Sequence, residues 1–147
     1  MPTITPFLWY NTNGQEAVDF YKSVFKDSMT IINKSSFISS IEIFGQKINI
    51  MNMATDEKLN STMSFLISIS TQEEVDYYYN SLLTNGGKEQ QCGWIKDQFG
   101  FCWQIVPVQL MTLMNDSDPV KAKRVKQAMF KMKKLIIADL EAAHKGE

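Results

Sequence analysis

The side chains best suited to catalysis are scarce in this chain and lie far apart. The only histidine, His144, falls in a polar stretch near the C-terminus. A histidine base, a His–Cys pair or a set of histidine metal ligands would therefore have to use that one residue. The two cysteines, Cys92 and Cys102, fit neither a CxxC motif nor a disulfide framework. We interpret both thiols as small core residues of a reduced protein, and we expect no histidine-based chemistry.

Basic residues form one run near the C-terminus, although the net charge of the chain is −1. One interpretation of this run is a surface for an anionic partner, a membrane or a phosphate. The other is the solvated face of an amphipathic helix, which acidic residues elsewhere balance, and the net charge favours it. We therefore expect neither a nucleic-acid nor a membrane partner. The run consists of Lys121, Lys123, Arg124, Lys126, Lys131, Lys133 and Lys134.

Composition is typical of an ordinary globular protein. Hydrophobic residues make up 44% of the 147 residues, which is enough for one well-packed domain. No apolar run approaches the length of a membrane span, and the first residues show no secretion signal. The sequence therefore predicts a cytoplasmic location.

Two copies of one strand–helix unit organise the chain. Residues 15–21, QEAVDFY, recur as residues 72–78, QEEVDYY, and an apolar, strand-like run precedes each copy. Short strand-like runs follow each helix, so the sequence predicts an α+β fold of two βαβββ modules with helices after them. The predicted parts are a single domain over 1–147, modules at 1–56 and 60–107, and a helical tail at 108–145.

Capping patterns mark the predicted starts of the two module helices. Asn13 and Glu16 form a capping box, in which each side chain is expected to pair with the backbone N–H of the other residue. In the second module the cap is Ser70 or Thr71, and Ser70 with Glu73 repeats the same spacing. The predicted strands are residues 4–10, 29–33, 37–44, 47–53, 63–69, 89–92, 94–96 and 101–106.

Several segments resemble a known group of proteins. They are ITPFLW at 4–9, EAVDFY at 16–21, QCGWIKDQFG at 91–100, WQIVP at 103–107 and RVKQAM at 124–129. Together with the duplicated modules, they resemble the PhnB-like branch, labelled 3-demethylubiquinone-9 3-methyltransferase, of the vicinal-oxygen-chelate superfamily of glyoxalases and bleomycin-resistance proteins. The resemblance implies that each module curves into a half-barrel, that the two enclose one cavity, and that the protein forms a homodimer.

Metal enzymes of that superfamily take His, Gln or Glu ligands from the leading and last strands of the modules. By this resemblance Pro6 and Gln104 occupy ligand positions, and Met63 or Ser64 and Asn52 lie at the others. Since divalent ions need about three protein ligands, we expect no metal. The chain also lacks a GxGxG loop for S-adenosylmethionine, so we expect no cofactor and interpret the methyltransferase label as a name only.

Strand alternation predicts which residues face the implied cavity. Cys102 and Gln104 share one side of the last strand, while Trp103 packs under a helix. The same logic turns Leu8 and Tyr10 inward on the first strand and sends Phe7 and Trp9 toward the helix. A small apolar or aromatic ligand fits such a lining, although small barrels are also often filled by their own side chains. The pocket candidates are Leu8, Tyr10, Asn52, Cys102 and Gln104.

Three functions remain open from the sequence. The first is a metal-free protein that binds a small molecule, and the second is an enzyme that uses Tyr10 or Cys102. The third is a structural or regulatory dimer with a filled core. An apolar stripe on the tail helix is formed by Val125, Ala128, Met129 and Met132. We expect it to pack on a second copy of the chain, and the alternative is that it folds back on its own module.

Overall fold

A computed structural model describes all residues, 1–147, and it confirms the α+β architecture. The chain divides into two compact units, Met1–Leu59 and Asn60–Glu147. Each unit contains one βαβββ module with one four-stranded sheet. The three helices of the tail belong to the second unit, and the single-domain assignment stays a prediction.

Module 1 builds a mixed sheet in the strand order β1-β4-β3-β2, with β1 parallel to β4. The other neighbours are antiparallel, and the Phe44–Gly45 turn joins β3 and β4 with positive φ at both residues. Apolar side chains of the sheet pack beneath α1. The elements are β1 (Phe7–Tyr10), α1 (Gly14–Phe25), a 3-10 turn (Lys26–Ser28), β2 (Met29–Asn33), β3 (Ile38–Ile43) and β4 (Gln46–Asn52).

Module 2 repeats this order as β5-β8-β7-β6, with β5 parallel to β8. The strand predicted at 89–92 is present but shorter and begins one residue earlier, at Lys88–Glu89, because residues 90–93 form a turn. The last strand, predicted at 101–106, runs from Cys102 to Pro107. The elements are β5 (Ser64–Ile69), α2 (Gln72–Leu82), β6 (Lys88–Glu89), β7 (Trp94–Lys96) and β8 (Cys102–Pro107).

Helix α1 begins differently from the prediction, whereas α2 begins at one of its two predicted caps. The Asn13 side chain makes no capping hydrogen bond, and its oxygen is buried without a partner, so the predicted capping box is wrong. In α2 the cap is Thr71, which accepts from the Glu74 N–H, rather than Ser70 with Glu73. The extended backbone of Thr71 aims its hydroxyl at that N–H, as an N-cap requires.

The tail forms three helices around an apolar cluster of its own. Asp118 caps the middle helix by accepting from the Val120 N–H. Val125 is fully buried, and Met129 and Met132 pack against the same cluster. The stripe therefore packs within its own unit, as the second expectation had it, and packing on a second copy stays a prediction. The tail elements are α3 (Val108–Met114), α4 (Pro119–Phe130) and α5 (Ile137–Lys145), and the cluster is Val106, Leu110, Val125, Leu135 and Leu140.

None of these helices combines the length and the apolar character needed to cross a membrane.

Candidate ligand-binding faces

One side of the module 2 sheet, which α2 leaves uncovered, carries Gln104 at its centre. β8 pairs with β5 and β7, so Gln104 lies directly between Leu66 and Trp94. Leu66 is 52% exposed, and the other two side chains are partly exposed. The Gln104 Nε2 donates to the Ser64 Oγ at 2.8 Å, which leaves the amide oxygen for a ligand. The face thus combines apolar surface with a hydrogen-bond acceptor.

The other side of β8 is core, and here the predicted alternation holds. Trp103 is 2% exposed and makes edge-on ring contacts with Phe65 and Phe101. Its Nε1 donates to the Asp97 Oδ2 at 2.9 Å. The other oxygen of Asp97 accepts from the backbone N–H groups of Phe99 and Phe101, so this buried carboxylate is well satisfied. Trp103 therefore joins the core to the β7–β8 turn.

Cys102 shares the side of β8 that Gln104 occupies, but it is fully buried. Its Sγ lies 3.5 Å from the Gln90 Oε1. Burial raises the pKa of the Cys102 thiol above its ordinary value, and burial also raises the pKa of Cys92. Since the thiolate is the nucleophile, neither cysteine is activated for covalent chemistry.

In module 1 the predicted orientation of the first strand is wrong. Tyr10 is 1% exposed, and its hydroxyl lies 2.6 Å from the hydroxyl of Tyr21, which belongs to α1. Leu8 is two residues away on the strand and is buried on the same side. Both pocket candidates therefore lie beneath the helix, and Phe7 and Trp9 occupy the opposite side.

Asn52 also lies on the side of the sheet that faces α1. It pairs with Tyr10 in the β1–β4 register, so it shares the helix side of the sheet. Its Oδ1 accepts from the Gly14 N–H at 2.9 Å, and its Nδ2 donates to the Ser36 carbonyl oxygen at 3.0 Å. A Cβ at Gly14 would lie 3.0 Å from the Asn52 Cβ, so the glycine permits this close approach. Asn52 thus caps α1 from across the sheet.

The uncovered side of the module 1 sheet carries residues that sequence reasoning missed. Phe7 is paired with Asn49, and Trp9 with Met51. Phe7 is 50% exposed, and the other three are partly exposed. Asn49 also accepts a hydrogen bond from the Ser40 hydroxyl at 2.8 Å. The signal was the polar Asn49 between Ile48 and Ile50, which marks the uncovered side of β4.

The ionisable groups do not assemble into a metal site. No three side chains of His, Cys, Asp or Glu lie in positions to hold an ion together. At the ligand positions that the superfamily resemblance indicates, Pro6 has no donor atom and Ser64 is bonded to Gln104. His144 is in the tail, where its Nε2 lies 2.7 Å from the Asp116 Oδ2.

The basic run of the tail is partly paired. Lys134 lies 3.3 Å from Asp76, and Lys133 lies 4.0 Å from Glu89. Arg124 donates to the carbonyl oxygens of Ala143 and His144 at the end of α5. Much of the positive charge therefore anchors the tail within its own unit.

The sequence matches one protein family over most of its length. The profile of the 3-demethylubiquinone-9 3-methyltransferase family matches residues 2–106. The match spans both modules and ends before α3. No curated protein sequence matches the chain.

Solved structures share the fold. A Bacillus cereus PhnB protein, which carries the name 3-demethylubiquinone-9 3-methyltransferase, is 22% identical with a TM-score of 0.61, over 73% of this chain and 100% of its own. A glyoxalase-related enzyme from Fulvimarina pelagi is 14% identical with a TM-score of 0.56, over 75% of this chain and 91% of its own. FosX, a fosfomycin resistance protein from Listeria monocytogenes whose structure contains Mn(II) and sulfate, is 18% identical with a TM-score of 0.53, over 69% of this chain and 86% of its own. At these identities the likeness establishes the fold, and it confirms the predicted glyoxalase and bleomycin-resistance architecture.

Proposed function

This chain belongs to the 3-demethylubiquinone-9 3-methyltransferase family, the PhnB-like branch of the glyoxalase and bleomycin-resistance superfamily, and we propose that it binds a small apolar or aromatic molecule without a metal ion. The observation that carries the proposal is the chemistry of the two uncovered sheet faces. Each combines a tryptophan and a partly exposed apolar neighbour with a side-chain amide: Trp9, Met51 and Asn49 in module 1, and Trp94, Leu66 and Gln104 in module 2. Flat aromatic surfaces beside a few amide groups suit a planar ligand.

Calorimetric titration with 2,3-dimethoxy-5-methyl-1,4-benzoquinone tests the proposal, since this probe is a small planar ring with several hydrogen-bond acceptors. We expect saturable binding that weakens at least tenfold in Trp94→Leu. Tyr77→Leu is the matched control, because Tyr77 is an exposed aromatic residue of α2 and not of a sheet. Absence of saturable binding, or equal losses in both variants, would overturn the proposal and favour a protein with a filled core.

Methyl transfer is the alternative that the family name suggests. It would require S-adenosylmethionine, and the chain offers no glycine-rich loop for it. The raised pKa of Cys102 and the burial of Tyr10 against Tyr21 also leave neither residue suited to remove a substrate proton. Calorimetry at millimolar S-adenosylmethionine should show only heat of dilution, and a saturable isotherm would restore the methyltransferase interpretation.

A separate experiment tests the proposal that the protein binds no metal ion. Elemental analysis of protein purified without chelators should find no stoichiometric Ni, Zn, Mn or Fe. A stoichiometric ion that disappears in Gln104→Ala would contradict the proposal, since Gln104 occupies the ligand position that the superfamily resemblance indicates on the last strand of module 2.

We also propose a homodimer, as is common in the superfamily, with an interface that differs from the one the sequence suggested. The stripe around Val125 is covered, but other apolar side chains of the tail are about half exposed, including Met111 and Phe130. Sedimentation of the full chain at micromolar concentration should show a dimer that Phe130→Glu weakens and Lys131→Glu does not. A monomeric full chain would end the proposal, and equal behaviour of the two variants would exclude this surface.

A further inference from the structure

The segment between α4 and α5, Met132-Lys133-Lys134-Leu135, runs along the turn that precedes β7. We propose that this segment, the strap, is a positioning element that holds Trp94 and Gln104 in the arrangement that binds the ligand. The inference rests on the proposed function and adds to it a role for the tail. The strap lies outside residues 2–106, which the family profile matches.

Backbone hydrogen bonds join the strap to the turn. The Cys92 N–H donates to the Met132 carbonyl oxygen at 2.9 Å, and the Gly93 N–H donates to the Lys133 carbonyl oxygen at 2.7 Å. These are consecutive donors at the start of β7. Without the strap both N–H groups would lose their partners, and an unpaired N–H group that stays buried destabilises the fold.

The turn has a backbone conformation that few residues adopt without support. Cys92 has φ of 59° and Gly93 has φ of 84°, so two left-handed residues occur in succession. The left-handed region is unfavourable for a residue with a Cβ, such as Cys92. A Cβ at Gly93 would also lie 2.9 Å from the Leu135 Cδ1 and 2.8 Å from the Ile105 carbonyl oxygen. Leu135 therefore packs directly on the glycine.

Three contacts with α2 hold the strap and the start of α5 in place. The Gln72 Nε2 donates to the Leu135 carbonyl oxygen at 3.2 Å, and the Gln72 Oε1 accepts from the Ile137 N–H at 2.8 Å. Lys134 pairs with Asp76 one turn further along the same helix. Leu135 is fully buried in the tail cluster. The strap is thus fixed by α2 on one side and by the tail core on the other.

Backbone hydrogen bonds connect the turn to β7 and β8, which carry Trp94 and Gln104 of the ligand-binding face. The Trp94 N–H donates to the Gln91 carbonyl oxygen at 3.0 Å, and the Ile105 N–H donates to the Gly93 carbonyl oxygen at 2.9 Å. Trp94 then enters β7 opposite Gln104. A shift of the turn would therefore move Trp94 relative to Gln104.

Leu135→Ala and Leu140→Ala form a matched pair, because both leucines are fully buried in one cluster and only Leu135 packs on Gly93. Both variants should lose stability. Only Leu135→Ala should speed amide exchange at Cys92 and Gly93 by more than tenfold relative to other β7–β8 amides and weaken quinone binding at least tenfold. Leu135→Met, which keeps the bulk, should restore both properties.

Each outcome decides a separate question. Equal exchange at Cys92 and Gly93 in the two alanine variants would overturn the strap proposal, and so would unchanged quinone binding in Leu135→Ala. If the wild-type chain binds no quinone, the proposed function fails, while the exchange comparison still decides whether the strap holds the turn.

Discussion

Helices α1 and α2 are capped at their N-termini in different ways. α2 is capped by its neighbour in sequence, since Thr71 accepts from the Glu74 N–H. α1 is capped across the sheet, since the Gly14 N–H donates to Asn52 on β4. A local cap needs only residues that are close in sequence, whereas a cap from another strand exists only once that strand is in register. Module 1 therefore relies on tertiary structure for what module 2 does locally.

The modules differ again in how much structure surrounds the sheet. Module 1 ends with β4 and the segment that follows it, while module 2 continues into three helices that share a core with the end of β8. The uncovered faces are chemically alike, but only the face of module 2 has a strap behind its tryptophan. This difference predicts that binding through module 2 is sensitive to substitutions in the tail.

The largest expected effect concerns the two sides of β8. Trp103→Ala should cost about 3–5 kcal/mol, because it empties a core site and leaves Asp97 without one of its donors. Gln104→Ala should cost about 1 kcal/mol or less, because it removes one partly buried hydrogen bond to Ser64. Urea midpoints compare the two variants, and equal losses would contradict the assignment of these sides.

The second prediction compares the two sides of β1 in the same way. Tyr10→Ala should cost about 3 kcal/mol, since Tyr10 is buried and bonded to Tyr21 of α1. Trp9→Ala should cost clearly less, because Trp9 lies on the uncovered side and is partly exposed. Thermal unfolding of both variants measures the order, and the reverse order would restore the orientation expected from the sequence.

Sequence alone could predict the fold because the duplicated unit repeats its periodicity. It could also orient β8, because Gln104 is a polar residue between Trp103 and Ile105 and thus marks the uncovered side. β1 offers no such mark, since Phe7, Leu8, Trp9 and Tyr10 are all apolar or aromatic. Only the pairing of Asn49 with Phe7 and of Asn52 with Tyr10 resolves the two sides, and that pairing depends on register.

The packing of the tail also could not be predicted from the sequence alone. Its apolar stripe was visible at helical spacing, but spacing does not say which surface covers it. Leu110 of α3 and Leu135 and Leu140 beyond α4 supply that cover. These residues lie far apart in sequence and meet only when the tail folds on the end of β8, so the stripe suggested a second copy of the chain.

A third prediction tests the two kinds of cap. Asn52→Ala should cost about 1–3 kcal/mol, because the Gly14 N–H and the Ser36 carbonyl oxygen both lose a partner. Thr71→Ala should cost about 1 kcal/mol, as expected for a local N-cap.

Asn13→Ala and Ser70→Ala are the controls for these caps and should change stability by no more than about 0.5 kcal/mol. Circular dichroism during urea unfolding measures all four variants. A large loss in Asn13→Ala would show that the local capping box operates after all.

The smallest expected effect concerns the contact between Asp116 and His144 of α5. It lies in the tail, and module 1 has no counterpart of the tail. The Asp118 backbone N–H and the His144 side chain hold the pKa of Asp116 below its ordinary value of 3.8. Because the pKa is lower in the folded state, Asp116 stabilises the fold above pH 3.8, and this contribution disappears as the pH falls through the folded-state pKa. Asp116→Asn should therefore unfold at a lower urea concentration than wild type at pH 6 and lose this part of the acid dependence of stability.

Glu141→Gln, an exposed change on α5, is the control and should follow wild type. Amide exchange should show the effect in α5 and not in module 1, and identical acid profiles for Asp116→Asn and wild type would mean that the His144–Asp116 pair does not stabilise the tail.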